Sequence, residues 1–253
     1  MNTTIDIMPM LLLVLFSLAL STGAAMVIFV LKRARLPAMA NPLDTIEFEH
    51  TEAGYGAQRK TFMRRPTCWL AIKGRNMFAV QSALKLHNPK RCSWMEGFSG
   101  EEKLFIAPPV KGWILVLGSG LPEPGDDVDA CFRFIQALSK KLGQVQFFSV
   151  SRILNHHAWV RAERGRIVRA YAWAGRTIWT QGARTPAEKD LDLHCFDYWD
   201  ESERATFAQP EGVVSNVDKV PLLAARWSLD PGTLEERFLE REHGIGGELS
   251  RGY

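Results

Sequence analysis

Two histidine-containing pairs, His156-His157 and His194-Cys195, carry the side chains best suited to ligate a metal or move a proton. The acids Asp197, Asp200, Glu201 and Glu203 follow the second pair. If His156, His157 and His194 met one of those acids in space, the chemistry would be that of a hydrolase or a metal-using enzyme. The spacing argues against it. Neighbours on a strand point to opposite faces, so His156 and His157 cannot both reach one metal. HExxH, GxSxG and paired CxxC patterns are missing from the sequence. The sequence therefore implies no metal and no cofactor and favours a chain that is not an enzyme, with His156, His157 and His194 as the catalytic candidates.

Gly118-Ser119-Gly120 ends an apolar run and precedes a helical pattern, as a phosphate-binding loop would. Leu121-Pro122-Glu123-Pro124-Gly125 intervenes, however. Two prolines lack N–H donors, and Glu123, Asp126 and Asp127 put negative charge where the phosphate would lie. Neither GxGxxG nor GxxxxGK[ST] is satisfied, so nucleotide binding is not expected here.

Arginines and aromatics interleave from residue 159 to 179. This composition suits a hot spot for a protein partner, and Trp159, Arg161, Arg169, Trp173 and Arg176 are the residues assigned to that surface. The stretch LAARWSLDPGTLEERF (223–238) resembles a helix-turn-helix in its spacing of Ala224, Trp227, Leu229 and Leu234. Its second half carries Glu235, Glu236, Glu240 and Glu242 against Arg237 and Arg241, the wrong charge for a duplex. The formal net charge of +3, or about +4 once Asp6 and the apolar N-terminus are set aside, is also too mild for nucleic acid.

The elements that must position these residues follow from periodicity. TCWLAI, KLFIA, WILVLG and VQFFSV read as strands. NMFAVQSALKL and DDVDACFRFIQALSKKLG read as helices, the second with Asp127 before it, Lys140 and Lys141 in its last turn and Gly143 beyond. The order βαββαβ is that of a ferredoxin-like domain. HHAWVRAERGRIVRAYAWAG then predicts a hairpin turning at Arg164-Gly165, with Glu163 facing Arg166, Ala162 facing Ile167, Ala158 facing Tyr171 and His156 facing Trp173. Thr185, Pro186 and Glu188 predict a capped helix start. A C-terminal helical pair and a frayed glycine-rich end complete the chain.

Residues 8–31 hold no charge and are long enough for a bilayer-spanning helix. Lys32, Arg33 and Arg35 follow at once, which places the remainder on the cytoplasmic side with the N-terminus outside, in a plasma or inner membrane. Ser21, Gly23, Ala24 and Ala25 would let a second span pack closely. Cys68, Cys92, Cys131 and Cys195 have no framework spacing and fit free thiols in a reducing compartment.

The sequence thus predicts an α+β protein in six parts: a tail (1–7), a transmembrane helix (8–31), a juxtamembrane linker (32–60), a ferredoxin-like domain extended by a hairpin (61–198), an acidic linker (199–216) and a helical hairpin with a tail (217–253). The expected function is a single-pass membrane-anchored protein-binding module, with the lipid bilayer and one protein as its partners. The alternatives are a histidine-based enzyme and a tethered regulator using residues 217 onward.

Overall fold

The computed structural model describes residues 66–198, 211–234 and 242–249 of the 253. By its contacts the chain divides into Met1–Gln58 and Arg59–Tyr253, and every described residue belongs to the second unit. The apolar segment 8–31 and the linker 32–60 lie outside the described residues. Among the described residues no helix is long and apolar enough to cross a membrane.

The strands are β1 (Cys68–Lys73), β2 (Leu86–Cys92), β3 (Leu104–Ile106), β4 (Trp113–Leu117), β5 (Gln144–Ser151), β6 (His156–Glu163), β7 (Arg166–Trp173), β8 (Thr177–Gln181) and β9 (Gly244–Leu249). The helices are α1 (Met77–Leu84), α2 (Trp94–Ser99), α3 (Val128–Leu142), α4 (Pro186–Asp190) and α5 (Glu211–Trp227). The nine strands of the described residues join one sheet in the order β2-β9-β3-β4-β1-β5-β6-β7-β8. Every pairing is antiparallel. β1 and β4, near the centre, are buried on both faces, which is why CWLAI and WILVL are continuous apolar runs.

This sheet overturns the ferredoxin-like architecture with a C-terminal helical pair. Two segments account for the difference. LHNPKRC is polar and holds Pro89, yet it forms β2, an edge strand, where a missing N–H is tolerated. Gly244–Leu249, expected to fray, enters the sheet between β2 and β3. Its glycines suit that place: a Cβ on Gly247 would lie 2.7 Å from the His87 carbonyl oxygen, and one on Gly244 would collide with the Ile106 carbonyl. The helix-turn-helix expectation falls with the helical pair. α5 is its first half, but the chain then makes a 3₁₀ turn at Pro231–Thr233 and returns as β9, residues 235–241 lying outside the described set.

The sheet has two buried faces. On the first, α1 and α3 cover Leu70, Ile72, Val116, Phe147 and Val160. Asp127 caps α3 by accepting from the Ala130 N–H, and Gly143 ends it at φ 88°. On the second, α2, α5 and the segment around α4 cover Trp69, Phe105, Phe148, Trp159, Tyr171 and Trp173.

The hairpin turns at Arg164-Gly165, and Glu163 and Ala162 face Arg166 and Ile167. Beyond them the register slips, because Val168 has no opposite residue. His157 then faces Trp173, Trp159 faces Tyr171 and Ala158 faces Ala172, which corrects the expected pairs Ala158–Tyr171 and His156–Trp173. A one-residue bulge sends every later side chain to the other face. Arg169, Tyr171 and Trp173 consequently stand on the second face beside His157 and Trp159.

Candidate functional site

The bulge assembles a buried polar network. Glu188, fully buried on α4, accepts from Arg169 Nε at 2.8 Å and from Trp159 Nε1 at 2.7 Å through one carboxylate oxygen. Its other oxygen accepts from the Thr185 backbone N–H at 2.7 Å and hydroxyl at 2.8 Å, closing the capping box expected from TPAE. Arg169, only 2% exposed, spends its remaining donors on the carbonyls of Ala170, Gln181 and Gly182 and on Cys195 Sγ at 3.2 Å. Burial pushes the Cys195 thiol up to about 11, against the pull of Arg169, so it is held as a thiol and not as a nucleophilic thiolate.

His157 stacks on Trp159 with ring centroids 5.8 Å apart. Asn216 of α5 exchanges two bonds with the His194 backbone, its Nδ2 donating to the carbonyl at 2.6 Å and its Oδ1 accepting from the N–H at 2.9 Å. That fixes the amide, so Nδ2 also donates to His157 Nε2 at 3.2 Å, and Nε2 is the unprotonated nitrogen. Burial first, and His156 nearby, push His157 down to about 3, while the Asn155 backbone partly offsets them.

The three candidate histidines do not converge. His156 lies on the opposite face from His157, near Gly125, as strand alternation requires. The ring of His194 points toward Asp192 at 3.9 Å, and only its backbone meets the Asn216 bridge. Among the described residues no group of three His, Cys, Asp or Glu is placed to hold a metal. Gly118-Ser119-Gly120 has a packing role: Gly118, at φ 135°, has no room for a Cβ beside the Lys103 carbonyl, and the Gly120 N–H donates to that carbonyl at 2.9 Å. The cysteines are free, Cys68, Cys92 and Cys131 buried and Cys195 half-buried.

The expected binding surface is mostly interior. Trp159, Arg169 and Trp173 are buried in the second face, which removes them from any docking surface. Arg161 reaches solvent but its guanidinium is held by Glu163 at 2.8 Å. Arg176 is exposed at the β7–β8 turn. The hairpin does gather these residues along two neighbouring strands, and the bulge, which periodicity does not reveal, turns most of them inward.

A feature with no signal in the sequence lies at the opposite end of the sheet. A groove of about 490 Å³ opens between α1 and the edge formed by β2 and β9. Met77, Phe78, Pro89 and Ile245 give it an apolar lining, and Phe78 is 65% exposed. Lys90, Arg91 and His243 line it as well, and among the described residues no lining side chain is a carboxylate. Lys90 is paired with Glu102 at 2.6 Å, just outside the lining. Arg91 has no carboxylate partner among the described residues and donates to His243 Nδ1 at 3.2 Å. Beside the groove the register of β2 shifts between His87 and Lys90, with Asn88 at φ 48°. An apolar channel with a cationic wall can accept an extended or helical segment carrying apolar and acidic side chains.

The chain matches no protein-family model, and no curated protein or solved structure is significantly similar to it.

Proposed function

We propose that this chain is a single-pass membrane-anchored protein whose cytoplasmic domain, the nine-stranded antiparallel sheet with its few helices, binds another protein. The groove between α1 and the β2–β9 edge takes over the role first assigned to the hairpin. The single observation that carries it is Phe78, a large apolar side chain left mostly exposed above a cleft whose ionisable lining among the described residues is basic. The occupant is a segment of a partner that places an apolar side chain against Phe78 and Ile245 and a carboxylate against Arg91. The charge-free segment 8–31 and the cations Lys32, Arg33 and Arg35 support the anchor and its orientation.

A photo-crosslinking residue at position 78 of the full-length membrane protein tests this, with position 168 as the control because Val168 is also exposed. One adduct is expected at 78, absent at 168, mapping to an acidic and apolar stretch of the partner. Arg91→Glu should reduce its yield about tenfold or more, the scale of one lost interfacial charge contact. Equal labelling at both positions would remove the groove as the binding site.

A further inference from the structure

We infer that the β5–β6 turn is a lipid-contacting tip that seats the domain on the membrane surface; this rests on the anchored arrangement proposed above. The turn spans Arg152 to Asn155, and its Ile153 and Leu154 are 69% and 62% exposed. Adjacent large apolar side chains at the apex of a tight turn have little of the domain left to cover them.

Their position supplies the occupant. The Thr67 carbonyl accepts from the Val150 N–H at 2.7 Å, and Cys68 stands opposite Ser149. The chain coming from the apolar segment therefore enters the sheet beside the last residues of β5, within a few residues of the tip. Residues 32–65 separate the apolar segment from that entry, 34 positions that span at most about 120 Å when fully extended. A covalent tether raises the effective concentration of the bilayer at the tip, so two apolar side chains suffice where a free domain would need more.

Charge defines which surface is met. Arg152 is neutralised by Asp218 at 2.7 Å. Gly125 lies beside His156, which brings Glu123, Asp126 and Asp127 to the same end of the sheet. The contact is thus apolar, and a zwitterionic phosphatidylcholine surface satisfies it without anionic lipid.

The test uses the full chain reconstituted in phosphatidylcholine vesicles that contain a lipid-borne quencher. An environment-sensitive fluorophore is attached at Ile153→Cys or, as control, at Phe78→Cys, which follows the other end of β1. The unsubstituted chain, labelled in parallel, gives the background from native thiols. Quenching is expected to be about threefold greater at 153 than at 78, unchanged on adding phosphatidylserine, and to fall to the control level with Leu154→Asp. Equal quenching at both positions, with the chain still resistant to carbonate extraction, would overturn the tip while leaving the anchor. Extraction by carbonate would overturn the anchor and the tip with it. Disulfide cross-linking of two unlabelled Ile153→Cys chains through position 153 would assign the tip to self-contact and overturn the lipid assignment.

Discussion

The face of the sheet under α1 and α3 is closed by aliphatic and small side chains and a few aromatic rings, with no charged side chain buried there among the described residues, whereas the face under α4 and α5 buries a carboxylate, a guanidinium and an imidazole among aromatic rings. The same strands supply both, since alternate residues serve opposite faces. The first face tolerates many arrangements, because any well-packed set of apolar volumes will serve. The second specifies one: Glu188 must meet Arg169, Trp159 and Thr185 together, and it does so only if the Val168 bulge is in register. We read the polar network as the latch that fixes the hairpin and the segment 182–196 in a single arrangement.

The largest difference between the faces should come from removing Glu188. Glu188→Ala leaves the Arg169 charge buried without a counter-ion, takes the acceptor from Trp159 and opens the Thr185 cap. The expected loss is about 3–5 kcal/mol in urea unfolding of the full chain. Glu188→Gln, which keeps an acceptor, should lose less. A loss under about 1 kcal/mol would show that the network is not a latch.

Next in size is a pH effect confined to the second face. His157 is held neutral in the fold, down to about 3, against an ordinary value near 6.5 in the unfolded chain. Between those values the unfolded state binds a proton that the folded state does not. Stability is therefore complete above about pH 6.5 and falls as the pH drops toward 3. From pH 7 to pH 5 the loss should be about 2 kcal/mol. His157→Gln should flatten that part of the profile, and an unchanged slope in the variant would assign the dependence to another group.

The contrast also explains what could be read from the sequence. The α3 caps, the Arg164-Gly165 turn and the Thr185–Glu188 box are local chemistry, legible within a few residues. β2 and β9 are not, because a polar edge strand and a glycine-rich strand take their conformation from the strands they pair with. The bulge at Val168 was equally hidden: nothing within RIVRAYAW distinguishes it from regular alternation. Glu188 was visible as a cap, but its second role depends on Arg169 and Trp159, 19 and 29 residues earlier in the chain. A buried partner for an arginine in an otherwise apolar strand was the one available clue. The groove gave no such clue, since its walls come from segments more than 150 residues apart.

The smallest expected effect lies on the first face and completes the contrast. Ile135 of α3 is fully buried in the apolar cluster of that face. Ile135→Val removes one methylene and should cost about 0.5–1.5 kcal/mol. Because that face buries no charged or histidine side chain among the described residues, the cost should be the same at pH 5 and pH 7, in the same urea titration that separates His157→Gln from the parent chain. A cost that grew as the pH fell would mean that the two faces are coupled through the strands they share, and the latch could no longer be assigned to the second face alone.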